Sequence, residues 1–536
     1  MQGHEESQRK HDIHTAPVSP YMKEMSMKFF IFLLFCTVIT AQQSEMINLK
    51  NTDSLKSQDV KMSDVKESLH AGAIEIEKAL KIYYPETDPL VIDKLDQWQN
   101  LKFGLLMHWA PSSQWGIVES WSICAEDEPW CRRSMENYTE YKKKYEDLKK
   151  TFNPVKFNPG RWADAAYDAG MKYVIFTTKH HDGFCMYDSK FTDYKITDPE
   201  CAFHNNPKAN IAKEIFDAFR AKGFWTGVYF SKPDWHSDYF WWQRFATPDR
   251  NANYDINKYP ERWQKFVQFT HNQIDELVTY YGKIDILWFD GGWVRSYTDE
   301  ELLEERKTAG NNIHRLQNQD INMRLIAENA RKKQPGIIVV DRAVPGPYQN
   351  YLTPENQIPD STLSYPWETC MPMSSSWSHS PGAEYKSARK LIHLLVDIVA
   401  KGGNLLLNIG PDPEGEYDET AYQRLSEIGE WMKVNGEAIY DSRAIEPYKF
   451  NKTCFTQQKD SGTIYCIYLA DENESTMPEI ITLPAFDLQP ESRFILLGSK
   501  SDLDFAVKDD RIIVEIPGEV RNNPPCKYAW TIKIKR

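Results

Sequence analysis

At 536 residues the chain is past the size at which one hydrophobic core keeps growing, so it divides into a large domain and at least one smaller one. A formal charge of -13 excludes nucleic acid as the main partner, because phosphate binding relies on clustered Lys and Arg. The 41% hydrophobic and 26% charged shares are those of a globular protein, and the 13% aromatic share, with 17 Trp and 28 Tyr, is high and suits sugar or protein surfaces.

Near the N-terminus, MKFFIFLLFCTVITAQQ has a basic Lys28, an apolar core from Phe29 to Ile39 and a small-residue cleavage site at Ala41. That is the design of a secretory signal peptide. The polar stretch Met1 to Ser26 fits no part of it, which points to translation starting at Met22, Met25 or Met27. The apolar core is too short to span a bilayer, and nothing later approaches the roughly 20 apolar residues a transmembrane helix needs. The chain is therefore expected to be exported without stable membrane insertion, to a periplasmic, extracellular or lysosomal compartment depending on the host. Of nine cysteines Cys36 falls in this leader, and the other eight permit disulfides. Cys124 and Cys131 are close enough in sequence for a loop-closing bridge, and no CxxC zinc spacing occurs.

Residues 1–41 are assigned to the extension and signal, and 42–90 to a polar leader with a helix near Ala71 to Tyr83. From 91 to 444 apolar runs alternate with helical patterns. FGLLMHWA from Phe103 reads as a strand, RWADAAYDAG as a helix ending in glycine, and KYVIFTTKHHDGF from Lys172 as a strand. ANIAKEIFDAFRAKG is a helix, FWTGVYFS a strand, and ERWQKFVQFTHNQIDELVTYYG a long amphipathic helix. IDILWFDGG, GIIVVDRAVPG and NLLLNIGPDPEG continue the strands, the last after the helical EYKSARKLIHLLVDIVAKGG. Unbroken apolar strands separated by helices predict a parallel sheet covered by helices, and the number of units favours an α/β fold of the (β/α)8-like, TIM type. No GxGxxG or GxxxxGK[ST] supports a nucleotide fold. Residues 445–536 break into short pieces such as GTIYCIYLA, RIIVEIP and YAWTIKIKR, which predict a C-terminal antiparallel β-sandwich.

A barrel of this kind gathers the C-terminal ends of its strands at one mouth. Those ends carry His108 and Trp109; Lys179, His180, His181 and Asp182; Tyr229; Trp288 and Asp290; and Asp341 and Arg342. Any one of them could cap a helix or pair with a neighbour. A metal is not expected: strand alternation would send His180 and His181 to opposite sides, and a mononuclear site wants three convergent ligands. No GxSxG elbow supports serine hydrolysis. What remains is an aromatic pocket with a carboxylate and neutral hydrogen-bonding groups, a setting for sugar, and glycoside cleavage needs two carboxyl groups of which Asp290 can supply one.

FGLLMHWAPSSQWGIVESW, YVIFTTKHHDGFCMYDS, IDILWFDGGW and KGGNLLLNIGPDPEG, taken together, resemble the α-L-fucosidases of glycoside hydrolase family 29, over roughly Leu95 to Ala444. The resemblance implies retaining hydrolysis of terminal α-L-fucose from a fucosylated glycan, by way of a covalent glycosyl-enzyme and with neither metal nor organic cofactor. It assigns Asp290 as nucleophile and His108, His180, His181, Tyr229, Trp288 and Arg342 to the sugar. Glu119 and Trp121 resemble the family's Glu-Trp pair, with Ser120 inserted between them. Glu355, which follows Asp341 and Arg342, is the first choice for the acid/base; Glu368 is the second and Glu119 the third. An α-L-galactosidase on the same fold, and a glycan-binding protein without turnover, are the competing readings.

Overall fold

A computed structural model describes residues 83–124, 137–242, 250–308, 316–499 and 502–535. The signal segment, the helix expected from Ala71 and Cys131 with its bridge lie outside the described residues. Seven strands, β1 (Phe103–Met107), β2 (Tyr173–Lys179), β3 (Trp225–Ser231), β4 (Ile286–Asp290), β5 (Ile338–Asp341), β6 (Glu368–Pro372) and β7 (Asn404–Ile409), form one parallel sheet. Their order is β5-β4-β3-β2-β1-β7-β6, so β1 pairs with both β2 and β7 and the sheet curls into an incomplete barrel. Almost every strand residue is buried, because helices cover one face and the barrel's own interior fills the other.

The expected eightfold barrel is thus built from seven strands among the described residues, with a seam between β5 and β6. An irregular segment fills that seam. Gln349 bridges to Val340, Leu352 to Trp367 and Glu355 to Cys370. Backbone hydrogen bonds from Asn350 N to Val339 O (3.0 Å), Glu368 N to Leu352 O (2.8 Å) and Asn356 N to Cys370 O (3.0 Å) stitch both edges. β6 was not legible as a strand, since ETCMP is short, opens on Glu368 and closes on Pro372.

Alternation along the strands decides which residues face inward. Leu106, Tyr173, Ile175, Tyr229, Ile286, Trp288, Ile338, Val340, Cys370 and Leu406 make a single interior cluster. A helix, Pro89–Leu101, begins where Asp88 accepts a hydrogen bond from Leu90 N at 3.0 Å. It adds Val91, Leu95 and Trp98, spaced for one helical face, to the same cluster, and Trp98 stacks on Tyr351 with ring centroids 4.0 Å apart. The strands' N-terminal end is closed by this apolar plug, which leaves the C-terminal end as the mouth.

The antiparallel part comprises β8 (Ser442–Phe450), β9 (Thr453–Gln458), β10 (Ile464–Leu469), β11 (Ile480–Pro484), β12 (Arg493–Leu496), β13 (Asp502–Leu503), β14 (Phe505–Lys508), β15 (Arg511–Glu515) and β16 (Ala529–Lys535). Six of these form a sheet in the order β13-β12-β16-β10-β9-β8, and β11-β15-β14 form another. Ile464, Cys466, Ile532 and Ile534 of the larger sheet share a core with Ile481, Leu483, Ile512 and Val514 of the smaller. The alternate residues Cys454, Tyr465, Ile467 and Ala529 belong instead to the main core, with the helix Ala388–Ala400 and Trp431. The central strands β9, β10 and β16 of the larger sheet are therefore buried on both faces. Among the described residues no helix is long and apolar enough to cross a membrane.

Candidate active site

Two residues beyond the inward-facing Leu106, Trp288, Val340 and Leu406 stand His108, Asp290, Arg342 and Asn408. The two-residue period of a strand thus delivers an imidazole, a carboxylate, a guanidinium and an amide to one mouth. Trp109, one residue out of phase, instead packs against Phe152, Phe157 and Trp162 in the outer layer and donates its indole N–H to Asp412 O at 2.9 Å.

Asp290 ends β4 and retains 17% side-chain exposure. Tyr229 donates to its Oδ2 at 2.6 Å, Arg342 donates to its Oδ1 at 2.9 Å, and His181 Nε2 lies 3.7 Å from Oδ2. Burial by itself would raise this carboxyl, but Arg342, His181, the Tyr229 hydroxyl and the N–H of Gly291 outweigh it and hold Asp290 well below the usual carboxylate range. Gly291 is needed for the backbone here. Its φ is +90°, and a Cβ would come within 2.4 Å of Pro233 Cδ.

The second guanidinium nitrogen of Arg342 donates to Glu355 Oε2, so Asp290 and Glu355 share one arginine. Glu355 reaches it because the seam-filling segment carries it there. Glu368 is placed elsewhere. It opens β6 at the N-terminal end of that strand, has no exposed surface, and accepts from Tyr173 Oη at 2.6 Å and Trp288 Nε1 at 3.3 Å. Burial pushes its carboxyl up to about 7 against the hydrogen bonds from Tyr173, Tyr351 and Trp288. Of the three carboxyls considered as partners of Asp290, Glu368 is thus the one set beneath the mouth.

Trp288 is only 1% exposed and lies against Tyr229 (centroids 5.2 Å) and the Arg342 guanidinium (5.2 Å). It packs against both of those groups. Lys179 and Asp341 face away from the mouth, toward the layer outside the sheet, in buried pairs with Asp234 (3.2 Å) and Lys232 (2.5 Å).

β2 ends at Lys179, so His180 and His181 lie in the turn beyond it and strand alternation does not separate them. Their rings are 4.2 Å apart. The turn is fixed by Asp182, which accepts from Tyr145 Oη at 2.7 Å and Phe184 N at 3.1 Å. One ring nitrogen of each histidine and an Asp290 oxygen all lie within 4.8 Å, so these three residues could approach a cation. The Arg342 guanidinium already stands beside the same carboxylate. Burial pushes His181 down to about 3 despite Asp290, and lowers His108 and His180 as well, so all three imidazoles are neutral at pH 7.

Trp121 stands edge-on to His181 (5.1 Å) and near Trp235 (5.4 Å), Trp293 (6.0 Å) and the Arg250 guanidinium (4.8 Å). Glu119, with φ of +24°, is buried, and its Oε1 has no hydrogen-bond partner among the described residues. Burial pushes it up to about 8 against a hydrogen bond from Ser378, with Glu355, Asp182 and Asp290 adding to the rise. Trp377, 5.4 Å from His108, completes the aromatic wall. Asn408, Trp235, Trp293 and Trp377 escaped the sequence reading, and Ser120 entered it only as an insertion. Alternation along NLLLNIG would have found Asn408, whereas the others lie in loops.

The chain matches the α-L-fucosidase family over residues 71–437. The plasma α-L-fucosidase of Rattus norvegicus is 29% identical over 469 residues, covering 84% of this chain and 94% of the relative. The α-L-fucosidase isoenzyme 1 of Paenibacillus thiaminolyticus has a solved structure that aligns with a TM-score of 0.65 at 27% identity, covering 83% of this chain and 99% of that one. A family 29 α-L-fucosidase from Bacteroides thetaiotaomicron, solved as a trapped covalent intermediate with 2-fluoro-fucosyl fluoride, shares the fold with a TM-score of 0.63 at 21% identity, covering 84% of this chain and 97% of that one. With the family matched over well more than half its length, this chain belongs to the α-L-fucosidases, a family of glycoside hydrolases.

Proposed function

We propose that the protein is an exported, exo-acting, retaining α-L-fucosidase that removes terminal fucose from glycans. The observation that carries this reading is the single guanidinium of Arg342 shared by Asp290 and Glu355. Two carboxyls tied to one arginine are held at the same mouth, as a glycosidase pair must be; a retaining pair stands about 5–5.5 Å apart and an inverting pair about 6.5–9.5 Å. In the first step an Asp290 oxygen attacks the anomeric carbon, the glycosidic C–O bond breaks, and the departing oxygen takes a proton from Glu355. In the second, Glu355 takes a proton from water, whose oxygen displaces Asp290 from the sugar.

The ring would lie against the aromatic wall of Trp121, Trp293 and Trp377, with Trp235 packed behind Trp121 and with His108, His180, His181, Arg342 and Glu119 offering hydrogen bonds to its hydroxyls. Trp288 acts from below, through Tyr229 and Arg342.

The test is release of 4-nitrophenol from 4-nitrophenyl α-L-fucoside beside the α-L-galactoside and β-D-galactoside, with the first-formed anomer read by NMR. Fucose released first as the α-anomer is the expected result. A β-anomer formed first would overturn retention, preference for the α-L-galactoside would give the substrate to that sugar, and no release from any would leave a glycan-binding protein.

A further inference from the structure

The histidines at the mouth differ in what holds their far nitrogens. Asn408 donates its amide N–H to the carbonyl of Trp377 at 2.6 Å, which turns its Oδ1 toward His108 Nδ1 at 2.8 Å. An oxygen can only accept, so the His108 proton resides on Nδ1 and its Nε2 keeps a lone pair. Ser120 Oγ lies 2.5 Å from His180 Nδ1, and Ser120 has no exposed surface. Among the described residues the serine hydroxyl has no other hydrogen-bond partner. If His180 donated to it, the hydroxyl proton would be buried unpaired, at a cost of about 1–3 kcal/mol. The hydroxyl therefore donates to Nδ1, and the His180 proton resides on Nε2. Burial keeps both rings neutral, so neither can be a donor at both nitrogens.

We infer that Ser120 and Asn408 are positioning residues that set opposite tautomers, making His180 a hydrogen-bond donor and His108 an acceptor toward the bound sugar. The rings are 5.6 Å apart. A sugar hydroxyl both donates and accepts, so a donor and an acceptor facing one ring fix the direction of its hydroxyl protons as well as its place. Ser120 is the residue inserted into the Glu119-Trp121 pair, and the insertion thereby gains a task at the site. The use of this pair in catalysis rests on the fucosidase reading; the tautomers themselves do not.

The test is 15N NMR of the full chain labelled at histidine, without substrate, with the two rings assigned through His108→Phe and His180→Phe. The expected result is a proton on Nε2 of His180 and on Nδ1 of His108, with His180 losing its single tautomer in Ser120→Ala. A wild-type His180 protonated on Nδ1, or a His180 spectrum unchanged in Ser120→Ala, overturns the inference. In kinetics with 4-nitrophenyl α-L-fucoside, Ser120→Ala should raise KM about tenfold with kcat little changed, the loss of about one hydrogen bond, and Ser120→Thr should restore it. In a His180→Phe background Ser120→Ala should add nothing; an undiminished loss there would give Ser120 a merely structural role. If the chain hydrolyses no fucoside, the fucosidase reading fails while the tautomers are still read from the spectra.

Discussion

The Tyr229 hydroxyl donates to Oδ2 of Asp290 across 2.6 Å, linking neighbouring strands at the barrel mouth. The bond is one of several that hold Asp290 ionised; among the groups that lower it, the Arg342 charge acts most strongly, against the opposing effect of burial. An attacking carboxylate must be ionised, so a depressed carboxyl keeps activity at low pH. Tyr229→Phe should move the acid limb of kcat/KM upward by about one pH unit, the worth of one hydrogen bond to a charge. An acid limb that stays in place would remove Tyr229 from this task.

Asp290→Gly should lower kcat by about 10³-fold or more while near-UV circular dichroism stays that of the parent. Added azide can then take the vacated place and restore turnover, giving a fucosyl azide of inverted configuration. Substantial turnover without azide would rule out Asp290 as nucleophile.

Glu355→Ala should slow cleavage of natural glycans by about 10²–10⁴-fold, the usual worth of a positioned acid, yet slow an aryl fucoside far less in its first step. An equal loss on both substrates would mean that Glu355 serves Arg342 and does not protonate the leaving oxygen.

Glu368 makes a different prediction, about stability. Its folded value of about 7 lies above the ordinary 4.5. Below 4.5 both folded and unfolded chains keep the proton; between 4.5 and 7 only the folded chain does, so folding stability falls as pH rises through this window and levels off above it. One such group contributes a slope of about 1.4 kcal/mol per pH unit. Glu368→Gln retains an acceptor for Trp288 and cannot ionise, so urea unfolding between pH 4.5 and 7 should show a shallower fall than in the parent. Parallel curves would mean that Glu368 does not hold its proton in the folded chain.

Gly291→Ala should cost about 1–3 kcal/mol, because the added methyl meets Pro233 and the left-handed backbone disfavours a side chain. Thermal unfolding measures it, and an unchanged midpoint would show that the turn after β4 gives way.

What was legible follows from periodicity. The strands from FGLLMHWA to NLLLNIGPDPEG and their helices were plain because buried parallel strands are continuously apolar, and the inward face then follows from counting by twos. β6 was hidden because its inward residues are Glu368 and Cys370. The seam had no signal either: segment 349–357 is irregular, pairing in isolated bridges set by its neighbours and not by its own pattern. Counting by twos failed at His180 and His181, where the strand had already ended. Trp288 came to the sugar by resemblance and not by counting, for alternation gives a residue's side of the sheet but not its depth. Gly291 meets the demands of a turn and of Pro233.

The strand Ala529–Lys535 lies inside the larger antiparallel sheet, between β12 and β10, and Trp431 donates to Ala529 O at 2.9 Å. During synthesis, then, β8 to β10 leave the ribosome with an open edge that stays unmatched until Lys535 has been made and has cleared the exit tunnel. Loss of the segment Ala529–Lys535 would leave that gap permanent, and the nascent enzyme would become a substrate for chaperones and proteases although every residue around Asp290 had already been translated.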